Sequence, residues 1–437
     1  MRSTMTSLVH RSITGQCRSL FPKYFTTSRN TNIRFFSTTK ISRITEPIIH
    51  PNKNVEIRPV STLRPRTHPE YIKAHNSKLE NLVWRNPLQN ILITKKPWSQ
   101  HVRASMVEFI TFLHDHYPEI NVMVANDVAE EISQEFKEMP KQTSRSPHVL
   151  YTGEMSEIVP KTDLLVTLGG DGTILRGVSL FSNGRVPPVL SFSLGTLGFL
   201  LPFDFNNFKQ AFKEVYTSTA KVIHRTRLEC HVIRKTSKPE NKDMIHAMND
   251  IVLHRGDTPN LTTLDIYIDG EFLTRTTADG VCLSTPTGST AYSLSSGGSI
   301  VSPLVPAIMI TPICPRSLSF RPLIVPLSSH IKIKIAERQN GENDVRFSID
   351  GVPQDFLKVE DEIHVVNEIG TIFVDNVKIP TASGEQRSIL KKKQVETGVY
   401  CVAKSENDWV RGINELLGFN SSFKNQAKIK NSTKADV

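Results

Sequence analysis

The chain of 437 residues has little cysteine, and the few cysteines stand far apart along it. None of them forms the Cys-x-x-Cys pair that is typical of structural zinc sites, and they build no closely spaced disulfide framework. The sequence therefore argues against a disulfide-stabilised secreted fold and favours a reducing compartment. The five positions are Cys17, Cys230, Cys282, Cys314 and Cys401.

Long hydrophobic runs are absent as well. No stretch of about 18 apolar residues occurs, which is the length that a membrane-spanning helix needs, so no membrane partner is predicted. Hydrophobic residues make up 38% of the chain and charged residues 22%, within the range of globular proteins. The length suffices for two or three domains with a sizeable core.

Acidic residues are missing from the first 45 positions, and Glu46 is the first of them. The six arginines and two lysines of this stretch supply +8 of the net charge of +10, and a further lysine cluster lies near the carboxyl terminus. The body between the two ends is nearly neutral. A broad basic surface for nucleic acid is therefore not expected.

Residues 1–45 have the acid-free composition, rich in Arg, Ser and Thr, of a mitochondrial transit peptide. In a helix their apolar side chains gather on one side and two arginines on the other. The pattern predicts import into the mitochondrial matrix and cleavage near Phe36, with a disordered basic tail or a nucleic-acid arm as the alternative. The apolar positions are Val9, Ile13, Cys17 and Leu20, and the opposite ones Arg11 and Arg18.

The remaining chain changes character along its length. Residues 46–85 are Pro-rich and polar, which predicts a linker. Within 86–225, short apolar strands alternate with helical segments, including a helix over 105–116, and predict an α/β domain with a parallel sheet. Residues 226–380 alternate with period two and predict an all-β domain. Residues 381–437 predict a linker, a helix that begins near Ser405 and ends at Gly418, and a basic tail.

The strongest local motif is Gly-Gly-Asp-Gly-Thr at residues 169–173, between a buried strand and a helix. Its glycines leave backbone N–H groups uncovered, and the helix N-terminus favours an anion, so a phosphate-binding loop is predicted. The negative charge of Asp171 repels phosphates, so this residue is unsuited to holding them. It is predicted to accept a proton from an attacking hydroxyl or to bind Mg²⁺, with a helix N-cap as the alternative.

Two well-known nucleotide motifs do not fit this loop. No Gly-Lys-Ser/Thr follows as in a Walker A loop, and Ile174 and Leu175 stand where the dinucleotide fingerprint requires its third glycine. A second polar segment, Thr-Pro-Thr-Gly-Ser-Thr-Ala-Tyr at 285–292, clusters hydroxyls and one aromatic ring that suit a nucleoside. By composition alone, an ordinary loop rich in Ser and Thr is the better interpretation of this segment.

These segments, together with Asn249-Asp250 and Asp350-Gly351, occur in an order and context that resembles the NAD kinase family over residues 90–375. Diacylglycerol and sphingosine kinases share the glycine loop, but the segment 285–292 distinguishes the NAD kinases. Within the family, the chain is similar to the mitochondrial NADH kinases of budding yeasts. Members commonly carry Glu where Asp250 stands, and the shorter side chain changes the geometry of that contact.

The resemblance implies an α/β domain on the ATP side, a β-sandwich that binds the dinucleotide, a C-terminal helix, ATP with Mg²⁺ and NAD(H) as substrates, and a homo-oligomer. Asp171 is implied as the general base. The implied ATP phosphate-binding residues are Gly169, Gly170, Gly172 and Thr173. The implied dinucleotide-binding residues are Gly198, Phe199, Asn249, Asp250, Asp279, Ser289, Thr290, Tyr292 and Ser295.

Three other functions compete with ATP-dependent phosphorylation of the ribose 2′-hydroxyl of NADH or NAD. A lipid kinase with the same glycine loop requires a membrane-binding surface, which the sequence does not show. A dinucleotide sensor without catalysis would not need Asp171. A nucleic-acid binder depends on charge that the two ends of the chain explain.

Overall fold

The computed structural model describes residues 54–138, 147–182, 184–195, 198–235, 246–337, 344–368, 372–374, 377–379 and 397–418. The predicted transit peptide, with its cleavage site, and the basic tail lie outside these residues. Within the described part, no helix is long and apolar enough to cross a membrane.

The first part of the chain alternates strands and helices, as the α/β pattern predicts. Several strands are buried on both sides, because helices pack against the sheet faces. The elements are β1 (Val55–Pro59), β2 (Glu70–Lys73), β3 (Glu80–Val83), β4 (Asn90–Lys95), α1 (Gln100–His116), β5 (Asn121–Met123), α2 (Asn126–Glu138), β6 (His148–Thr152), α3 (Met155–Ile158), β7 (Leu164–Gly169), α4 (Asp171–Ser179), β8 (Val189–Ser193), β9 (Phe203–Asp204), α5 (Phe208–Tyr216) and β10 (Lys221–Arg225).

The second part is almost entirely β-structure. Its short strands are joined by tight turns, two of which have Asp-Gly at their centre, at 269–270 and 350–351. The elements are β11 (Leu228–Ile233), β12 (His246–Ala247), β13 (Asp250–His254), β14 (Thr262–Ile268), β15 (Glu271–Ala278), β16 (Gly280–Ser284), α6 (Tyr292–Ser295), β17 (Ala307–Ile313), β18 (Leu323–Pro326), β19 (Ile331–Ile335), β20 (Arg346–Ile349), β21 (Val352–Pro353), β22 (Glu362–Asn367), β23 (Ile372–Val374) and β24 (Val377–Ile379).

The chain then returns to the first part with β25 (Val399–Ala403) and α7 (Asp408–Leu417). The carboxylate of Asp408 accepts the amide protons of Lys404 and Ser405, at 2.8 Å each, and so holds the start of α7. Gly418 ends the helix in the left-handed conformation, at φ 57°, as the sequence predicts.

Among the described residues, eleven strands form the first sheet in the order β1-β6-β5-β4-β7-β8-β25-β10-β3-β2, with β9 beside β8. The strands from β1 to β25 in this order run parallel to one another. The next three strands, β10, β3 and β2, each pair antiparallel with the strand before them. Strands β5 and β6 lie on one side of β4, and β7 and β8 lie on the other. The loops that follow β4 and β7 therefore diverge, which makes this edge the topological switch point where α/β proteins bind ligands.

Two six-stranded antiparallel sheets of the described residues make up the second part, in the orders β12-β11-β22-β19-β14-β15 and β18-β17-β16-β13-β20-β21. Apolar side chains from both sheets meet in one buried core. They include Leu264, Ile266 and Ile333 from one sheet and Ile251, Leu283 and Ile310 from the other. The predicted combination of a parallel α/β domain and a β-sandwich is confirmed.

Three predictions of detail are corrected. The linker predicted for 46–85 contains β1, β2 and β3, which are short strands at or next to the sheet edges. Many of their side chains are half-exposed, so they lack a strong apolar pattern. The linker predicted after residue 380 contains β25, a central strand of the first sheet. Helix α1 starts at Gln100 rather than at Ser105, because its first turn is polar and carries little apolar periodicity.

A buried ion pair joins three segments that are distant in sequence. The guanidinium of Arg227, directly before β11, pairs with the carboxylate of Glu368, directly after β22, and both side chains are almost fully buried. Arg227 also donates to the carbonyl oxygens of Phe181 (3.3 Å) and Gly184 (3.0 Å) in the α/β part. Glu368 accepts the amide proton of Gly398 (2.6 Å), just before β25. The pair thus ties both domains and the returning chain together.

Removal of one partner leaves the other charge buried without compensation. We expect Glu368→Gln or Arg227→Met to lower the free energy of unfolding by about 3–5 kcal/mol, measured by urea denaturation. Arg85→Met removes an exposed ion pair with Glu70 and should leave stability nearly unchanged. Equal effects at the two sites would contradict the role assigned to the buried pair.

Candidate active site

The predicted phosphate-binding residues lie together at the carboxyl end of β7. This fully buried strand ends at Gly169, and α4 begins two residues later at Asp171. Nothing lies within 4 Å of where a Cβ would stand on Gly170 or Gly172, so the loop presents open backbone. Thr173 is buried, and its amide donates to the Gly170 carbonyl oxygen at 2.8 Å. An open loop at a helix N-terminus is suited to bind phosphate.

Asp171 points toward a second loop instead of capping its own helix. Its two carboxylate oxygens accept the amide protons of Phe199 and Leu200, at 3.1 Å each. A Cβ on Gly198 would lie 2.1 Å from one of these oxygens, so this close approach requires glycine. Gly198 and Phe199, predicted as pocket residues, therefore fix the position of the carboxylate.

The surroundings of Asp171 make it a better base than an ordinary aspartate. Burial raises its pKa, although the amides of Leu200 and Phe199 and the charge of Arg225 act in the opposite direction. Among the described residues, no cation lies within ion-pair distance of the carboxylate. Arg225 is itself buried and donates to the Thr287 hydroxyl at 3.3 Å, so it connects this loop to the segment 285–292.

A cavity of about 260 Å³ lies beside the loop that holds Asp171. Its lining includes Phe199, Arg225, Leu304 and residues from Cys401 of β25 to Glu415 of α7. The returning end of the chain thus encloses the space next to Gly198, Phe199 and Leu200.

Asn249 and Asp250 are positioned by the carboxylate of Asp350, to which the sequence assigned no role beyond the family resemblance. Asp350 accepts the amide protons of Met248 (2.8 Å), Asn249 (2.7 Å) and Asp250 (3.1 Å). Asp350 and Gly351 both have positive φ, 48° and 76°, which directs the Asp350 side chain back onto the start of β13. Asp350 is therefore a positioning residue of this site.

The segment 285–292 is attached to the same strand. The hydroxyl of Thr285 donates to the carbonyl oxygen of Met248 at 2.6 Å. The backbone amide of Thr285 donates to the carbonyl oxygen of Asn249 at 2.9 Å. The amide of Tyr292 donates to the Asp250 carboxylate, which it stabilises in its charged form. The structure thus brings Asn249, Asp250 and this segment together, as the sequence predicted.

The remaining residues predicted to bind the dinucleotide differ in whether a ligand can reach their side chains. The buried hydroxyl of Ser289 donates to the Pro286 carbonyl oxygen (2.7 Å) and accepts the amide of Val301 (3.0 Å), which gives it a structural role. Half-buried Thr290, exposed Tyr292 and exposed Ser295 are open to a ligand.

Asp279 lies at the opposite end of β16 from Thr285. There it pairs with the guanidinium of Arg255 at 2.5 Å. Tyr292 ends the polar segment that follows the other end of the strand. Burial raises the pKa of its hydroxyl, and the charges of Asp279 and Asp250 contribute in the same direction.

Asp250 and Asp350 form a pair of buried acids. Burial and the neighbouring Asp350 raise the pKa of Asp250 to about 7. Burial also raises the pKa of Asp350 to about 6, against the effect of the three amides that it accepts. No group of three or more His, Cys, Asp or Glu side chains in the described part of the chain is arranged to hold a metal ion.

Comparison with known proteins agrees with this geometry. Sequence profiles of the ATP-NAD kinase N-terminal and C-terminal domains match residues 91–220 and 248–368. The mitochondrial NADH kinase of Saccharomyces cerevisiae is 62% identical over 377 residues, which cover 85% of this chain and 91% of that protein. The chain belongs to the NAD kinase family.

Two further similarities support this membership. The mitochondrial NADH kinase of Schizosaccharomyces pombe is 39% identical over 377 residues, or 84% of this chain and 86% of that protein. The crystal structure of yeast NADH kinase complexed with NADH superposes with a TM-score of 0.74 at 60% identity, covering 84% of this chain and 98% of that one. The family resemblance, the kinase class and the similarity to mitochondrial NADH kinases are confirmed.

The two acids of this NAD kinase predict how its stability depends on pH. Because the folded pKa of Asp250 is raised to about 7, the folded state holds a proton between about pH 4 and that value that the unfolded chain has lost. We therefore expect the free energy of unfolding to fall as the pH rises through this window. Urea denaturation at several pH values measures it.

Asp250→Asn should reduce the slope of the free energy of unfolding against pH. The raised pKa of Asp350 should leave a smaller slope of the same sign in this variant. Asp355→Asn, which changes an exposed carboxylate of the same domain, is the matched control and should leave the slope unaltered. A slope unaffected by Asp250→Asn would show that Asp250 does not titrate as described.

Proposed function

We propose that this chain transfers the γ-phosphoryl group of ATP, bound as its Mg²⁺ complex, to the 2′-hydroxyl of the adenosine ribose of NADH or NAD. The products are ADP and NADPH or NADP, which supply mitochondrial reducing power for biosynthesis and for defence against oxidative stress. Family membership supports the reaction class. The yeast relative solved with NADH supports the dinucleotide as acceptor.

One observation carries the assignment of roles. The Asp171 carboxylate is fixed by two backbone amides beside an open glycine loop, has a raised pKa and has no cationic partner among the described residues. A carboxylate with these properties is suited to accept a proton from an alcohol, which is otherwise a weak nucleophile. Phosphoryl transfer then depends mainly on positioning and on neutralisation of charge.

In the proposed step, the 2′-oxygen forms a bond to the γ-phosphorus while its proton moves to Asp171. The bond between the γ-phosphorus and the bridging oxygen breaks, and ADP leaves with the electron pair. Mg²⁺ enters with ATP as part of that substrate and neutralises its phosphates. Gly169, Gly170, Gly172 and Thr173 hold the phosphates.

The dinucleotide lies on the β-sandwich side of the cleft in this proposal. Asn249 and Asp250 hold its ribose, and Asp279 lies toward the nicotinamide. Thr290, Tyr292 and Ser295 contact the adenosine part, while Ser289 shapes their loop. The attachment of segment 285–292 to β13 through Thr285 supports this arrangement, because it keeps the contacting groups in one rigid unit.

The proposal includes a homo-oligomer. Large apolar side chains are exposed on the described part of the sandwich, among them Leu318 at 80%, Phe272 at 56% and Ile324 at 53%. Surfaces of this kind are used in protein contacts.

The test of the mechanism is Asp171→Asn in protein that lacks residues 1–36, with NADH and ATP-Mg as substrates. We expect kcat to fall on the order of a hundredfold or more, while the affinity for NADH changes little. Each oxygen of the Asp171 carboxylate accepts one backbone amide proton. In the Asn variant the side-chain NH₂ group replaces one of these oxygens, so one backbone N–H loses its acceptor and meets another donor. We therefore also expect a loss of stability of roughly 1–3 kcal/mol, measured by denaturation.

Asp204→Asn is the matched control, because Asp204 also accepts a backbone amide but stands outside the site. Titration with Mg²⁺ separates the two roles open to Asp171, since high Mg²⁺ should partly rescue a lost metal ligand but not a lost base. Near-normal turnover of the Asp171 variant would refute the mechanism.

The proposed location in the mitochondrial matrix depends on residues 1–36. We expect their deletion to abolish import, measured by fractionation and protease protection of tagged protein. Replacement of Arg11 and Arg18 by Gln in the full chain should weaken import, because it removes the positive side of the predicted helix. Efficient import of the truncated protein would contradict the proposal.

A further inference from the structure

The loop after β4 is a direct neighbour of the phosphate-binding loop. Lys95 at the end of β4 is in register with Leu168 of β7, and the amide of Lys96 donates to the Leu168 carbonyl oxygen at 2.9 Å. A Cβ on Gly169 would lie 3.1 Å from the Cβ of Lys96. The two loops are therefore in contact at the switch point of the sheet.

Trp98 in this loop has an unusual conformation and environment. Its side chain is 96% exposed, and its backbone has φ 54°. Left-handed backbone in a bulky residue is strained, and an exposed indole gives up the stabilisation that burial of its apolar surface would provide. By contrast, Trp84 packs against the core and donates its ring N–H to the Val215 carbonyl oxygen at 3.1 Å.

No contact among the described residues compensates Trp98 for this strain and exposure. Its indole has no hydrogen bond, stacked ring or cation partner within that part of the chain. Strained residues of this kind concentrate at ligand sites. An exposed aromatic face beside an anion-binding loop suits a ligand that carries both a flat ring and phosphates.

The charged groups near Trp98 fit the same ligand. Lys95 is buried and pairs with Glu131 at 2.7 Å, so its charge is neutralised. Lys96 is exposed, and in the described part of the chain no carboxylate pairs with it. An ammonium group that is free and adjacent to open glycine backbone can contact a phosphate.

We propose that Trp98 is the platform on which the purine base of the phosphoryl donor stacks, and that Lys96 contacts the phosphates of the same nucleotide. Trp98 follows Lys96 by two residues, so their Cα atoms are at most roughly 7 Å apart. Base and phosphates are thus bound by adjacent loops, with the terminal phosphate directed toward Asp171. The inference rests on the proposed function and names its donor subsite.

The chemistry of the platform defines its selectivity. Stacking on an indole depends on the flat face of a base and discriminates weakly between bases. Trp98 therefore selects a nucleotide over a bare polyphosphate chain, without distinguishing adenine from guanine. Lys96 interacts with charge alone and contributes equally to both kinds of ligand.

The experiment uses Trp98→Ala, Trp98→Phe and Lys96→Met in the enzyme without residues 1–36. The KM for ATP is measured at saturating NADH, together with the inhibition constant of inorganic tripolyphosphate. Trp98→Ala should raise the KM for ATP on the order of tenfold, from the usual contribution of base stacking. It should leave the inhibition constant and kcat within about twofold. Trp98→Phe should retain most of the affinity, whereas Lys96→Met should weaken both ligands.

Trp98→Gly separates function from folding. Glycine accepts the left-handed backbone without strain, so this variant should be as stable as the parent or more stable, yet should show the same rise in the KM for ATP. Phe356→Ala, which removes another exposed aromatic ring from the second domain, is the matched control and should leave the KM for ATP unchanged.

The proposal is overturned if the KM for ATP stays within twofold in Trp98→Ala, or if tripolyphosphate inhibition weakens in parallel. A change in oligomer mass by light scattering with an unaltered KM for ATP would assign the indole to self-association instead. Quenching of intrinsic fluorescence by ATP-Mg that is lost in Trp98→Phe supports the platform independently of turnover. This binding readout distinguishes failure of the subsite from failure of the kinase assignment.

Discussion

The pairing of Arg227 with Glu368 is the interaction on which the active-site cleft depends. Arg227 lies where the chain leaves the first sheet and enters the β-sandwich. Glu368 lies directly after β22, before the chain returns to the first sheet. Buried charges tolerate little displacement, because each requires its partner and its hydrogen bonds. The two domains are thereby held together next to a second connection, in which Arg225 of the first domain donates to the Thr287 hydroxyl of the second.

Three carboxylates within this frame, one buried and two half-buried, have different roles because their surroundings differ. Asp171 accepts two amides and has no cationic partner in the described chain, which leaves it able to take up a proton. Asp350 accepts three amides and serves as an anchor for the start of β13. Burial and, after it, repulsion by the neighbouring Asp350 raise the pKa of Asp250 to about 7. The same functional group thus serves as the base of the proposed mechanism, as an anchor and as a group with a strongly raised pKa.

The parts of this structure that depend on local sequence were predictable. The glycine loop follows from glycines next to a buried strand, and the end of α7 follows from Gly418. Long-range features were not predictable, since nothing in residues 399–403 indicates that they enter the first sheet. The role of Asp350 was missed because its three amides lie about a hundred residues away in sequence. An isolated tryptophan is usually buried, so no pattern marked Trp98.

The position of β25 has a consequence for how the protein is made. This strand lies between β8 and β10, and therefore inside a sheet whose other strands are all encoded before residue 226. A ribosome releases the final strand only after the whole sandwich has been synthesised, so the first domain cannot complete its sheet while translation is under way. Contacts of such sequence separation also form slowly. A chain that stays incompletely folded until its last segment emerges is well suited to cross a membrane before it folds.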